Sequence, residues 1–307
     1  NLKFSEYISK FQVLNTVFLS ILMEAFPFLL LGVFISSIIQ IFITQEAIIK
    51  YFPESKIISF FIAIIGGLFF PVCDCAIIPV SSSLVKKGVP LHAAVSFMLA
   101  APIVNPIVIM STYYAFGFKI ALTRVGIGII VSLITGIIFL IFPEENQVLK
   151  KGINNYNCNC AYCSGDYVKG NGFSKILSVF KHVGEEFFDV GKFLIIGAFI
   201  TATIQVFLPK SIFVQITKSE VSSIIIMMLL AFLFSVCSSS DAFIARSFSN
   251  QFNMSALMGF MVLGAMVDIK NILMLSESFS KRFIIKLLFI VFNITFSIIC
   301  FYHIFQG

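Results

Sequence analysis

Apolar residues run along this chain in long blocks separated by short polar ones. The blocks fall at 11–43, 57–85, 91–116, 120–142, 187–208, 221–245, 255–275 and 283–305. A helix needs ~20 mostly apolar residues to cross a bilayer, and every block is long enough. They are too long and too continuous for the ~10-residue alternating segments of an outer-membrane barrel. The pattern predicts an all-α polytopic membrane protein with about eight spans.

Several blocks are interrupted. In "FFPVCDCAIIPV", Pro71 and Pro79 flank Cys73, Asp74 and Cys75, and in "LAAPIVNPIV", Pro102 and Pro106 flank Asn105. Proline inside a helix removes a backbone hydrogen bond and clashes with the preceding turn. In hydrocarbon such a break survives only inside protein or along a wet cavity. Broken or re-entrant helices are therefore expected at Pro71–Cys75 and Pro102–Pro106. In the second half "SVCSSSD" and "GAMVDIKN" keep the polar content without the prolines.

The halves also resemble each other. At an offset of about 165 residues, "LLLGVFISSIIQIF" meets "LIIGAFITATIQVF", which aligns Gly32 with Gly197 and Gln40 with Gln205. Cys73 falls on Cys237, and Asn105 lies against Asp268 with one residue of slippage. The expected plan is a first transmembrane repeat at 1–143, a hydrophilic linker at 144–182 and a second repeat at 183–307. Duplicated halves of about four spans each suit a secondary transporter, with its site near the midplane between broken helices. Parallel and inverted relations of the halves both stay open.

Composition narrows the class. Of 307 residues only 12% are charged, against about 25% in soluble domains, which excludes an ordinary globular enzyme. The net charge of +6 is read as carried by short loops, Lys119 and Arg124 among them. Lysine and arginine are nearly balanced between the two sides of an eight-span arrangement, and the lysine-rich linker is assigned to the cytoplasm.

Charges inside a membrane cost from ~2.5 kcal/mol upward and usually face a cavity or a partner. The candidates are Asp74, Asp241, Asp268 and Glu24. The local alternatives are an Asp241–Arg246 pair and an Asp268–Lys270 pair. Asp74 has no basic neighbour in sequence before Lys86, so it must be hydrated, protonated or paired across the fold.

Seven cysteines add a second chemistry. Cys73 and Cys75 sit at a polar break, and soft thiolates select soft partners, a class that includes trivalent arsenic. Cys237 could supply a third sulfur. Small residues that let broken helices pack closely are the plain alternative. In the linker, "NYNCNCAYC" brings Cys158, Cys160 and Cys163 together as a candidate soft-metal or metalloid site, one ligand short of tetrahedral zinc. Cys300 reads as packing.

At these residues the chain resembles the ArsP-type predicted permease family, whose best-known members export trivalent organoarsenicals. "PVCDCAIIPV", "AAPIVNPI" and "CSSSD" carry the resemblance across nearly the whole chain. It implies that Cys73 and Cys75 meet the arsenical.

The leading expectation is thus a secondary permease of the cell membrane exporting a small thiophilic solute. Cys73, Asp74, Cys75, Asn105, Cys237, Ser239, Asp241 and Asp268 would line its path, with Asp74 tuning the sulfurs or carrying a proton. Its partners would be the solute and the lipid bilayer; no cofactor and no nucleic acid are expected. No nucleotide-binding signature occurs. A permease for another solute, such as a sulfur-containing anion, with structural cysteines, is the first alternative. An intramembrane thiol–disulfide oxidoreductase is the second, and an adjacent Asp and eight spans speak against it.

Overall fold

The computed structural model describes residues 2–42, 64–66, 74–142, 148–149, 172–207 and 220–306. Pro71, Cys73 and the linker cysteines Cys158, Cys160 and Cys163 lie outside the described residues. Among those described, eleven helices follow one another. The first half holds α1 (Leu2–Phe42), α2 (Asp74–Lys86), α3 (Leu91–Val104), α4 (Pro106–Phe116) and α5 (Phe118–Ile141). The second holds α6 (Gly172–Phe207), α7 (Glu220–Phe234), α8 (Asp241–Ser247), α9 (Met254–Met266), α10 (Ile269–Ser278) and α11 (Lys281–Gln306). An isolated bridge between Leu149 and Phe279 is the only β pairing among the described residues.

Five stretches are long and apolar enough to cross a membrane: Lys10–Ile41, Phe118–Ile141, Val179–Phe207, Met254–Ser278 and Lys281–Phe305. Helices α3 and α4, bent by 43° at a short break, form a broken span or a re-entrant loop. The chain is a multi-pass helical membrane protein. Of the expected spans, 57–85 is described only at 64–66 and 74–85, and 221–245 is no continuous helix, because the chain leaves helical geometry between Phe234 and Asp241.

The breaks form as local chemistry dictates. Pro106 is the first residue of α4, where its missing N–H costs nothing. Asn105 before it is extended, with φ −58° and ψ 126°, and its side chain accepts from the Ile107 N–H at 2.9 Å. In the second half Val267 and Asp268 are extended, and Asp268 caps α10 by accepting from the Asn271 N–H at 2.6 Å. Asn105 and Asp268 thus each cap the helix that follows a joint, with a proline next to the first and an acidic side chain at the second. Pro79 departs from expectation. Helix α2, described from Asp74, runs through Pro79, and most of the expected break at Pro71–Cys75 lies outside the described residues.

The centre of the molecule is α3 and α9. Every residue of Ala93–Val104 and of Ser255–Met266 is buried, as suits helices that are apolar all round. The two helices touch each other, with α5 packed on α3 and with α7 and α11 on α9. Beside this core α1 and α6 lie along each other. The ring pairs Phe18–Phe199, Phe26–Phe187 and Phe34–Phe180, at 5.9, 5.6 and 6.4 Å, make them antiparallel. Helix α2 packs on α1, α10 packs on α6, and α2 meets α10. At Gly32 a Cβ would stand 2.5 Å from the Ala76 Cα, so α1 and α2 cross in backbone contact. Small residues permit such approach within a membrane.

Candidate transport cavity

Where α7 stops, the chain turns through Ser235 in the left-handed region, φ 48°. A serine there costs of order 1–3 kcal/mol unless its surroundings hold it. They do: its hydroxyl accepts from the Lys270 N–H at 3.2 Å. Gln205 donates to the Phe234 carbonyl at 2.7 Å, satisfying a group that the end of α7 sets free. Residues 238–240 then turn into α8, with the N–H groups of Ser240 and Asp241 both donating to the Cys237 carbonyl.

This break, Cys75 of α2 and Lys270 of α10 line, beside α1, a half-open cavity of about 340 Å3. Thr16, Ser20 and Glu24 face it from α1, at the i, i+4, i+8 spacing that makes one helix stripe. Cys75 lines it from α2, Gln205 from α6, Ser235, Cys237 and Ser240 from the break, and Lys270 from α10. A second hollow of about 420 Å3 shares Val17, Gln205, Val236 and Ile244 with it and extends to Lys10. The size suits a small solute.

The charges here are organised around Lys270, which is 4% exposed. The Asp268 carboxylate is 3.9 Å from its Nζ. Asp74 is 3% exposed; its Oδ1 accepts from the Ser238 hydroxyl at 3.0 Å, and its Oδ2 has no hydrogen-bond partner among the described residues. Ser239 donates to the Cys237 sulfur at 3.4 Å.

The residues singled out from sequence therefore separate. Cys75 and Cys237 line the cavity, with Asp74 and Ser239 directly behind them. Asn105 and Asp268 act as helix caps. Asp241 does not line the cavity: its carboxylate is held by Arg124, Nη1 to Oδ1 at 2.9 Å and Nη2 to Oδ2 at 2.5 Å. Two expectations are overturned. Arg124 is no loop charge but is 1% exposed in α5, where Nη1 also donates to Thr112 and Nη2 to the Met261 carbonyl, while Nε has no hydrogen-bond partner among the described residues. Arg246 does not pair with Asp241; it lies over the Phe116 ring at 5.5 Å. Sequence reasoning missed Thr16 and Ser20, and read Ser235 and Ser240 only as polar content of the break. The spacing of the first two, read with Glu24, could have shown a polar stripe on α1.

Among the described residues no group of three or more His, Cys, Asp or Glu side chains is placed to hold a metal ion.

The sequence model of the predicted permease family ArsP_1 matches residues 10–304. The chain belongs to that family. It is 45% identical over 282 residues to the UPF0718 protein YcgR of Bacillus subtilis, covering 91% of this chain and 93% of that one. It is 36% identical over 272 residues to a Streptococcus mutans protein whose name describes a subunit of a two-component membrane permease complex, covering 88% of each. A shorter likeness, 29% over 107 residues and 34% of this chain, reaches the UPF0718 protein MJ0584 of Methanocaldococcus jannaschii. No solved structure matches the chain. As a member of a permease family it is a transport protein of the cell membrane rather than an enzyme.

Proposed function

We propose that this permease is a secondary exporter of a small thiophilic solute, with a trivalent organoarsenical as the leading cargo. One observation carries the reading: Cys75 and Cys237, far apart in sequence, line one cavity. A monosubstituted trivalent arsenical has two exchangeable hydroxyls. Each thiol forms one S–As bond and gives its proton to a departing hydroxide, releasing one water per bond. The reverse exchange with water releases the cargo, so no oxidant or reductant is required. Ser238 and Asp74 hold the start of α2, which presents Cys75, while Thr16, Ser20 and Glu24 keep the opposite wall wet.

The antiparallel packing of α1 on α6 supports an inverted relation between the halves, because Gly32 and Gly197 then occupy matching positions on oppositely directed helices. That arrangement suits alternating access around a site between the halves. The name of the Streptococcus mutans relative supports a second membrane component, which crosslinking and co-purification from the native host would reveal.

The test is resistance. In cells lacking arsenical exporters the chain should protect against a trivalent aromatic arsenical and not against inorganic arsenite. Protection should vanish in Cys75→Ser and Cys237→Ser. Undiminished protection in the double variant refutes the sulfur role. Lys270 in the cavity wall favours a second reading, a sulfur-containing anion as cargo. Uptake of labelled sulfur anions into vesicles, lost in Lys270→Gln, would support it.

A further inference from the structure

From Thr16 to Gln40 every fourth residue of α1 falls on one ridge of the helix. Thr16, Ser20, Glu24, Ser36 and Gln40 make it polar, and Phe28 and Gly32 interrupt it. The two parts of this ridge meet different surroundings.

The first part is open. Thr16, Ser20, Glu24 and Phe28 line the cavity, and the neighbouring hollow continues past Val17 and Val13 to Lys10. Because the hollows share wall residues, they form one furrow along α1. From Lys10 to Phe28 it runs about 27 Å at 1.5 Å per residue. Its outer end is the exposed Lys10, where the apolar segment Lys10–Ile41 begins.

The second part is shut. One turn beyond Phe28, Gly32 lies so close to α2 that a Cβ would stand 2.5 Å from the Ala76 Cα. Ala76 follows Cys75, so this contact stands directly beyond the cavity wall. A turn further on, the Ser36 and Ser83 oxygens are 2.6 Å apart. Gln40 donates to Ser83 at 2.7 Å and to Ser36 at 3.3 Å. Glu186 on α6 closes the seam, its carboxylate oxygens 2.9 and 2.8 Å from the Ser36 hydroxyl.

The polarity of this seam is its informative property. Small residues are enough for two membrane helices to pack closely, yet here hydroxyls, an amide and a carboxylate are enclosed together. On α2 the stripe that starts with Cys75 and Pro79 continues through Ser82 and Ser83. Ser82 is fully buried, as is Ser37 beside Ser36, and neither hydroxyl has a hydrogen-bond partner among the described residues. Leaving a buried hydroxyl unpaired costs about 1–3 kcal/mol. A second arrangement of the helices that wets the seam accounts for these groups. The open half and the shut half also carry like chemistry, serines with Glu24 in one and serines with Glu186 in the other, and the Cys75 cavity lies between them.

We propose that this ridge is one translocation route, open here to the membrane face on which α1 begins and closed toward the face on which α1 ends, with the Gly32–Ala76 contact as its gate. Opening moves α2 off α1 beyond Ala76, which parts Ser36 from Ser83 and hydrates both. Alternating access between two halves has this form. The proposal needs a permease but no particular cargo.

The test is the sidedness of cysteine labelling in the full chain, in intact cells and in inverted membrane vesicles. The probe is a membrane-impermeant methanethiosulfonate, read by mass spectrometry of the labelled peptides. Proteolysis of an N-terminal tag identifies the face on which α1 begins. Ser20→Cys should label on the order of tenfold faster from that face, because only an accessible thiolate reacts. Met23→Cys, 75% exposed on α1 but outside the furrow, faces lipid and should label from neither face. Ser83→Cys should resist from both faces. In a Gly32→Ala background, where the added Cβ wedges against Ala76, it should label from the face on which α1 ends.

Ser20→Cys labelling equally from both faces, from neither, or no faster than Met23→Cys overturns the proposal. So does Ser83→Cys that stays unreactive in the wedged background or reacts from the face on which α1 begins. If Gly32→Ala does not give a monodisperse protein, the sidedness of Ser20→Cys decides alone. No solute is added, so a failure of the arsenical reading and a failure of this proposal are told apart.

Discussion

Arg124 and Asp241 meet through two parallel hydrogen bonds in the interior, their side chains 1% and 2% exposed. They join α5 of the first half to α8 of the second. The pair ties the short α8 to α5.

Removing one partner leaves a buried charge without its counterpart, which costs about 3–5 kcal/mol. Arg124→Leu and Asp241→Leu should each lower the thermal midpoint of the detergent-solubilised protein strongly. The double variant should recover much of the loss, because both charges then leave together. Thermal unfolding followed by size-exclusion chromatography reads all three; a double variant as unstable as either single one would contradict the pairing.

The two cavity thiols should be protectable. Cys237 is half-buried and Cys75 buried, and both line the same hollow. Pre-incubation with a trivalent aromatic arsenical should block maleimide labelling at Cys237, and Cys75→Ser should weaken that protection. Labelling at Cys300, in α11, should not respond. Mass spectrometry of the labelled peptides gives the answer, and equal labelling with and without arsenical would remove Cys237 from the site.

Close approach at Gly32 yields a stability contrast. The Cβ of Gly32→Ala would stand 2.5 Å from the Ala76 backbone, and overpacking of this kind costs typically about 1–3 kcal/mol. Gly126→Ala meets nothing within 4 Å and should be neutral or gain up to roughly 1 kcal/mol from helix propensity. Thermal midpoints measured side by side should move in opposite directions or leave Gly126→Ala unchanged.

The helix caps can be told apart from charges. Asp268→Ala removes the cap of α10 and should cost about 0.5–2 kcal/mol. Asp268→Asn keeps a capping oxygen while deleting the charge 3.9 Å from Lys270. If Asp268→Asn retains stability but alters transport, the carboxylate serves the cavity through Lys270. If both variants behave alike, the role ends at the charge.

Much of this was readable before any coordinates, and the division is physical. The joints at Asn105 and Asp268 were legible because proline and capping residues act within three or four positions. The thiols and Asp74 stood out because polar groups are expensive in an apolar block. The partner of Asp241 was not legible. Arg124 lies 117 residues away in an apolar helix, and a local reading preferred the nearby Arg246. The Ser36–Glu186 contact spans 150 residues and was hidden likewise, since no periodicity within α1 or α6 says which helix will lie against it. Ser235 gave no sign of its left-handed backbone, which follows from how α10 presents the Lys270 amide.

Helix α9 carries a consequence for biogenesis. With every residue from Ser255 to Met266 enclosed by other helices, it has no side to offer to lipid tails. A segment of that kind has no resting place until its socket exists, so during synthesis it must wait for α11 to emerge before it can settle. A chain cut short after Ser278 would leave α9 with an open flank, and quality control proteases would meet it there.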